Sequence, residues 1–328
     1  MTDKNMEPIR SLLHFIYAAD QAEKTFRRLQ TRLLEFQKKT HQTFQPNEPL
    51  FNEQDIILIT YGDSLQRAAE KPLQTLLSFH QAYSAETINS IHILPFFPYS
   101  SDDGFAVIDY HAVNPQLGNW QDIENFEQKG VRLMFDAVIN HISAKSEWFQ
   151  QFLLGNPHYQ AYFISVPPES DLSGVTRPRT LPLLTPVQTT MGTQSVWTTF
   201  SDDQIDLNYQ NPDTLLSVVD ILLDYVEHGA KLIRLDAIAY LWKEIGTSCI
   251  HLPQTHAVVQ LLRAVLDVIA PGVLIITETN VPHAENISYF GNGSNEAHLV
   301  YQFALPPLCA HALISGTARY LSEWAAGL

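Results

Sequence analysis

The stretch Ile233-Arg234-Leu235-Asp236-Ala237-Ile238 places an arginine and an aspartate two positions apart at the end of an apolar run. On a β-strand, residues two apart point to the same side, so we expect the guanidinium to lie beside the carboxylate and hold it ionised at neutral pH. A second apolar run, Ile275-Ile276-Thr277-Glu278, also ends in an acid. Two carboxylates that each close a buried strand are the minimum set for glycosyl transfer. The alternative is a plain structural ion pair between Arg234 and Asp236.

Short strand-like runs alternate with helical periodicity on both sides of this stretch. We predict strands over 55–61, 91–97, 131–136, 231–237, 273–278 and 299–304, and helices over 73–82, 120–129, 213–228, 253–269 and 307–326. Such alternation indicates a parallel sheet. Acids follow several of the strands, at Asp63, Asp136, Asp236 and Glu278, which is where (β/α)₈ barrels place their chemistry. About six strand–helix units are predicted and a closed barrel has eight, so we expect an α/β fold of the (β/α)₈ TIM-barrel type that is incomplete.

The predicted elements divide the chain into four parts. Residues 8–40 show helical periodicity and predict an N-terminal helical hairpin that turns near Asp20. A stretch rich in Pro, Ser and Thr interrupts the barrel after the third strand and predicts a small irregular insertion. The four parts are an N-terminal helical extension and linker over 1–54, a first barrel part over 55–142, the insertion over 143–206 and a second barrel part over 207–328.

The composition of the chain indicates its cellular compartment and argues against some classes of partner. The 328 residues are 45% hydrophobic and carry a formal net charge of −15, which argues against nucleic acid and anionic membranes as partners. The two cysteines, Cys249 and Cys309, lie far apart and predict no disulfide, and no cluster of acids predicts a metal site. The N-terminus lacks a signal pattern and no apolar run reaches membrane-spanning length, so we expect a cytoplasmic protein.

Three further groups of side chains stand where a sugar could be held. Asp103 and Phe105 combine an acid for hydroxyl groups with a ring for the apolar sugar face. His141 follows the third predicted strand and could donate to a hydroxyl, while Asn140 and Asp136 could brace the loop. Arg177-Pro178-Arg179, in the insertion, could contact an oxyanion. The structural alternatives are an ordinary turn, a capped strand end and a solvated loop.

Several motifs together resemble the α-amylase superfamily. Four segments resemble its signature regions in chain order: Asp136–His141 (DAVINH), Gln204–Asn208 (QIDLN), Arg234–Asp236 (RLD) and Thr277–Glu278. Four further segments resemble the sucrose phosphorylase branch of this superfamily: His92–Pro98, Asp103–Phe105, Gly246–Cys249 and Phe303–Leu308. Members of that branch that act on glucosylglycerate or sucrose 6′-phosphate are similar over Leu58–Asp63, Pro98–Phe105, Thr277–His283 and Asn286–Gly291.

The resemblance implies a catalytic set. Asp236 matches the family nucleophile, which forms a β-glucosyl-enzyme intermediate, and Glu278 matches the general acid/base. Arg234 matches the arginine that orients the nucleophile. The implied activity is that of a retaining α-glucoside phosphorylase, which cleaves sucrose, sucrose 6′-phosphate or glucosylglycerate with inorganic phosphate to give α-glucose 1-phosphate. No cofactor is implied.

The resemblance also implies a binding set. Three residues match those that hold glucose in the first subsite: Asp103, Phe105 and His141. Tyr240 matches an aromatic on the acceptor side, and Arg179 matches a loop arginine that meets phosphate. Asn280 stands where plain sucrose phosphorylases carry a histidine, which implies a different acceptor. The insertion over 143–206 matches the family's domain B.

One part of the family pattern has no counterpart. The third family carboxylate, in a His-Asp pair after the seventh strand, is absent from the 328 residues. Losing a contact of this kind typically costs roughly 2.7–4 kcal/mol of transition-state stabilisation. We therefore expect the chain alone to be poorly stable and nearly inactive, either as a truncated product or as one half of a split protein whose complementary chain completes the barrel.

Two functional alternatives stay open. One is a catalytically inactive remnant or sugar-binding module. The other is an α-glucosidase or transglucosidase, in which water or a sugar resolves the intermediate in place of phosphate.

Overall fold

The computed structural model describes residues 3–40, 44, 51–167 and 169–328. Within them the α-helices are α1 Asp3–Ile16, α2 Ala19–Lys39, α3 Pro72–Tyr83, α4 Trp120–Gln128, α5 Glu147–Leu153, α6 Pro212–Glu227, α7 Pro253–Ile269, α8 His283–Ile287, α9 Leu305–Ser315 and α10 Arg319–Ala325. The strands are β1 Ile57–Thr60, β2 Ser90–Ile93, β3 Arg132–Ala137, β4 His141–Ser143, β5 Leu184–Thr189, β6 Gly192–Trp197, β7 Gln204–Asp206, β8 Ala230–Leu235, β9 Leu274–Thr277 and β10 Leu299–Val300.

Six strands form one parallel sheet in the order β1-β2-β3-β8-β9-β10. The register aligns Asp136 of β3 with Arg234 of β8, and Leu235 of β8 with Thr277 of β9. The carboxyl ends of β3, β8 and β9 therefore meet at one edge of the sheet, where the predicted acids follow. The sheet curls into a half-barrel, which confirms the predicted incomplete TIM-barrel type.

The two faces of these strands carry different side chains. The interior of the half-barrel holds a small apolar cluster formed by Met134, Leu232 and Leu274 with the partly buried Ile57, Ile276 and Leu299. Their strand neighbours Leu133, Ile233 and Ile275 belong instead to the main core. Because side chains alternate with a period of two, Arg234 and Asp236 continue the interior face beyond this apolar cluster. The alternation thus directs the predicted charged residues into the mouth of the half-barrel.

The N-terminal helices pair as a hairpin on the outside of the half-barrel. The chain reverses at Tyr17 and Ala18, close to the predicted turn at Asp20. The Tyr17 hydroxyl donates to the Tyr209 carbonyl at 2.9 Å and fixes the turn to the barrel. Hydrophobic residues at three- and four-residue spacing face inward, and five of them are fully buried: Ile9, Leu13, Ala22, Leu29 and Leu33. Most of the predicted linker, at 41–43 and 45–50, lies outside the described residues.

The predicted single helix over 307–326 is wrong. The structure has two helices, α9 and α10, because Gly316 adopts a left-handed conformation with φ of 70° and ends the first of them. Apolar residues continue past this glycine, and their periodicity concealed the break. Among the described residues, no helix is both long and apolar enough to cross a bilayer.

The predicted insertion over 143–206 contains regular elements of its own. β5 and β6 form an antiparallel hairpin, and β4 pairs with β7. A second small core lies here, and it includes one residue from the barrel part of the chain, Cys249: its other buried members are Val166, Val175, Leu183 and Trp197. The insertion is therefore packed against the segment that follows β8.

Candidate active site

A cavity of about 600 Å³ opens at the carboxyl ends of the strands. It lies at the mouth of the half-barrel, where barrels of this type place their active sites. The nine residues of the catalytic and binding sets that the family resemblance implied all line this one cavity: Asp103, Phe105, His141, Arg179, Arg234, Asp236, Tyr240, Glu278 and Asn280. Arg234 lies on the barrel strand β8, and the others come from the segments that follow β2, β3, β8 and β9 and from the insertion.

The Arg234 guanidinium joins the two strand-end acids. Its Nη1 donates to Oδ1 of Asp236 at 2.8 Å, and its Nη2 lies 3.9 Å from Oε2 of Glu278. The backbone N–H of Ala237, the residue after Asp236, donates to the same Glu278 oxygen at 3.1 Å. The two carboxyl groups therefore share one cation in one cavity.

Asp136 anchors the same arginine from below. Its Oδ1 accepts a hydrogen bond from Arg234 Nη1, and its Oδ2 lies 2.7 Å from Nε2 of His92. Asp136 and His92 are fully buried. Burial raises the pKa of Asp136, but the interactions with His92 and Arg234 outweigh burial and hold this pKa below its ordinary value. The sequence suggested that Asp136 braces a loop, whereas the structure pairs it with Arg234.

The pKa values of the two strand-end acids, Asp236 and Glu278, are both raised. Burial raises the pKa of Asp236, and the charge of Arg234 opposes that rise without cancelling it. Burial and the negative charge of Asp236 raise the pKa of Glu278. Residue spacing predicted only the lowering of the Asp236 pKa by the guanidinium, whereas burial is the larger effect. Since Arg234 lies nearer to Asp236, Glu278 is the group that keeps its proton to higher pH.

The segment that carries Asp103 and Phe105 is strained. Asp102 and Asp103 both have left-handed backbone conformations, with φ of 53° and 50°. Such conformations in residues other than glycine cost roughly 1–3 kcal/mol each and cluster at functional sites. Nε2 of His141 lies 2.9 Å from the Phe105 carbonyl and can donate to it, so the histidine holds this segment in place. The Phe105 ring lies 5.5 Å from the Arg234 guanidinium carbon.

Aromatic rings line the cavity and pack against its arginine. Tyr240 meets Phe200, which comes from the insertion, edge to face at 5.6 Å. Tyr301, just after β10, lies with its ring centroid 5.2 Å from the Arg234 guanidinium carbon. Phe200 and Tyr301 were not predicted from the sequence, because each stands in a stretch without a family motif. Gln204 was not predicted either, although this residue opens the QIDLN motif and lines the cavity.

A buried polar network supports the floor behind His141. Lys243 Nζ lies 2.6 Å from Oδ2 of Asp206 and donates to Oδ1 of Asn140 at 2.8 Å. Thr199 donates to both Asp206 oxygens through its N–H and hydroxyl, at 2.8 and 2.6 Å. Burial lowers the pKa of Lys243, against the charge of Asp206. Among the described residues, no group of three or more His, Cys, Asp or Glu side chains could hold a metal ion.

The two arginines of the insertion differ in their contacts. Arg179 and Pro178 line the cavity. Arg177 instead donates to the carbonyls of Thr180 and Leu181, which closes the turn on itself. The structure thus offers Arg179, and not the pair, as a cation facing the cavity.

Comparisons with known proteins give the class to which the chain belongs. The model of the alpha-amylase catalytic domain matches residues 85–320, and the chain belongs to that family. It is 53% identical over 326 residues to the glucosylglycerate phosphorylase of Spirochaeta thermophila, covering 98% of this chain and 55% of that protein. It is 50% identical over 315 residues to the glucosylglycerate phosphorylase of Escherichia coli K12, covering 95% of this chain and 55% of that protein.

A solved structure agrees with the sequence comparison. The sucrose 6F-phosphate phosphorylase from Thermoanaerobacter thermosaccharolyticum superposes with a TM-score of 0.73 at 28% identity, covering 83% of this chain and 57% of that one. The chain thus spans a little over half the length of these curated relatives.

Proposed function

We propose that this chain carries the catalytic half of a retaining α-glucoside phosphorylase. The observation that supports the proposal is the meeting of Asp236 and Glu278 at one guanidinium, within one cavity, at the mouth of the half-barrel. Retaining glycoside chemistry needs a carboxylate nucleophile and a carboxylic acid on the same sugar ring. The raised pKa of Glu278, from burial and the Asp236 charge, suits the acid.

The proposed reaction has two half-reactions. Asp236 attacks the anomeric carbon and forms a β-glucosyl ester, while Glu278 donates its proton to the leaving oxygen. In the second half, Glu278 accepts a proton from inorganic phosphate, whose oxygen attacks the anomeric carbon and releases Asp236. The products are α-glucose 1-phosphate and the free acceptor. Arg234 keeps Asp236 oriented, and its link to Asp136 holds the arginine still.

We propose glucosylglycerate as the donor substrate. The curated relatives named glucosylglycerate phosphorylase are 50–56% identical to this chain, whereas a sucrose phosphorylase such as that of Agrobacterium vitis is 32% identical. Asn280 and Tyr240 lie on the wall of the cavity that the acceptor would meet. Arg179 is the insertion cation that phosphate would meet, since guanidinium groups bind phosphate oxygens in pairs.

We also propose that further β/α units, from another segment or a second chain, complete the half-barrel. Among the described residues, β1 pairs only with β2 and β10 only with β9, so each leaves an open strand edge. Apolar side chains are exposed beside both edges: Ile56, Ile59, Phe79 and Tyr83 on one side, and Phe303, Leu305, Leu313 and Ile314 on the other. Ile59→Lys should then block any gain in activity when the remaining strands of a relative are co-expressed. An equal gain for both chains would contradict this proposal.

The activity is tested in the synthetic direction. The purified chain is incubated with α-glucose 1-phosphate and glycerate, and released phosphate and glucosylglycerate are measured. Phosphate release that disappears in Asp236→Asn supports the proposal. Free glucose in place of glucosylglycerate indicates a hydrolase. Glucose binding without turnover indicates a sugar-binding module.

The role of Arg179 is tested with a matched pair of variants. Arg179→Ala should weaken the affinity for phosphate by about tenfold or more and leave the affinity for glucose unchanged, because one charge-assisted contact is lost. Arg177→Ala is the control, since its guanidinium contacts the Thr180 and Leu181 carbonyls. Equal losses for phosphate and glucose would contradict the assignment.

A further inference from the structure

The segment 244–251, between the residues that follow β8 and helix α7, is unusually constrained. Cys249 and His251 have left-handed backbones, with φ of 52° and 54°. Neither is a glycine, so each conformation persists only where surrounding contacts impose it. The family likeness pointed to Gly246–Cys249 as a motif, yet none of its residues lines the cavity.

The segment is tied to the barrel at its far end and to itself in the middle. The His251 N–H donates to the Ala239 carbonyl at 3.1 Å, and His251 Nδ1 lies 2.8 Å from the hydroxyl of the fully buried Tyr289. The Thr247 hydroxyl donates to the Glu244 carbonyl at 2.7 Å and accepts the Cys249 N–H at 3.1 Å. These contacts give segment 244–251 a fixed shape on the barrel.

The middle of segment 244–251 contacts the insertion. The Thr176 N–H donates to the Ser248 carbonyl at 2.9 Å. The Cys249 side chain is buried in the small core that includes Val175, and its thiol donates to the Glu244 carbonyl at 3.3 Å. Two consecutive residues of the insertion, 175 and 176, are therefore attached to segment 244–251.

We propose that segment 244–251 positions Arg179 over the cavity and so sets the phosphate affinity, an inference that rests on the proposed function. The attachment at Val175 and Thr176 lies four and three residues before Arg179, and the Arg177 contacts with two carbonyls make the intervening turn stiff. A binding group needs placement within about 0.5 Å to act at full strength. Cys249 and Thr247 are thus positioning residues that touch no substrate.

The test uses the full chain and two matched pairs of variants. Cys249→Ala removes the buried anchor, and Cys309→Ala is its control, because Cys309 lies on α9 away from the insertion. Thr247→Val removes the hydroxyl that shapes the segment. Thr247→Ser is its control, because serine keeps a hydroxyl at this position. Circular dichroism and thermal midpoints check that each variant is folded.

Two readouts are taken for every variant. The first is hydrogen exchange of the backbone amides over 172–183, where we expect a rise of about tenfold at the Thr176 amide in Cys249→Ala and Thr247→Val but not in their controls. The second is calorimetric affinity for inorganic phosphate and for glucose, where we expect phosphate to weaken about fivefold or more and glucose to change less than twofold.

The outcomes separate this inference from the proposed function. Unchanged exchange over 172–183 in both variants overturns the positioning role, whatever the affinities. Raised exchange together with unchanged phosphate affinity overturns the link to Arg179. A wild-type chain that binds no phosphate contradicts the proposed function, and the exchange measurement still decides whether segment 244–251 fixes the turn.

Discussion

The backbone N–H of Ala237 donates to the Glu278 carboxylate at 3.1 Å, so the residue after one catalytic candidate holds the other in place. The backbone of Ala237 is left-handed, with φ of 48°. A hydrogen bond from a strained residue therefore connects the strand end at Asp236 to the strand end at Glu278. This link gives the first prediction.

Ala237→Val should lower the free energy of unfolding by roughly 1–3 kcal/mol, because a β-branched residue is poorly tolerated at positive φ. Ala237→Gly is the control, since glycine adopts this conformation readily and keeps the N–H. Urea unfolding measures both variants. A valine variant as stable as the glycine variant would contradict the strained link.

Asp136→Asn should destabilise the chain by roughly 3–5 kcal/mol, because it leaves the Arg234 charge poorly compensated in a buried site. Asp63→Asn is the matched control, since this strand-end acid is exposed and its variant should stay within about 0.5 kcal/mol of wild type.

Asp136→Asn should also change the pH dependence of unfolding. The pKa of Asp136 is below its ordinary value, because His92 and Arg234 outweigh burial. The stability it contributes is therefore present above the pKa of the unfolded state and is lost as pH falls through the lower folded pKa. Asp136→Asn should flatten the acid limb of the stability curve. An acid limb with an unchanged slope would contradict the assignment.

Glu278→Gln should raise the stability at neutral pH by roughly 0.5–2 kcal/mol while abolishing phosphorolysis. The folded pKa of Glu278 is raised, by burial first and then by Asp236. The stability it contributes is therefore full below the unfolded pKa and is lost as pH rises through the folded pKa. A neutral glutamine avoids that loss. The gain should shrink as pH falls, and thermal unfolding at several pH values measures it.

Lys243→Met should cost roughly 3–5 kcal/mol, because Asp206 is then a buried carboxylate without its cation. Lys129→Met, at an exposed helix end, is the control and should lie within about 0.5 kcal/mol of wild type. Chemical unfolding compares the two. Similar stabilities would show that the network around Thr199 and Asn140 satisfies Asp206 by itself.

The sequence predicted the barrel elements well, because each buried parallel strand is a continuous apolar run. β3, β8 and β9 begin and end within two residues of the predicted ranges. The strand predicted over 91–97 ends earlier, at Ile93, and Pro95 just beyond lacks the N–H that a ladder needs. The hairpin of β5 and β6 was not foreseen, since its Thr- and Gln-rich strands are mostly half-exposed and lack an apolar period.

The sequence predicted the site residues that stand in family motifs at the ends of strands. It did not predict the residues that tertiary packing brings to the site. The acids Asp236 and Glu278 follow apolar runs and could be nominated directly. Lys243 and Phe200 meet the site only because the insertion folds back onto the barrel, and no local pattern encodes that contact. The raised pKa of Asp236 is a consequence of burial, which residue spacing does not show.

The central claim is that Asp236 takes a glucosyl group from the donor. It is tested most directly by treating Glu278→Gln with α-glucosyl fluoride, whose leaving group needs little acid assistance, and mapping the product by peptide mass spectrometry. We expect a mass gain of one glucosyl unit on the peptide that contains Asp236, and none in the double variant with Asp236→Asn. A glucosyl group on any other residue, or its persistence in the double variant, would contradict the account.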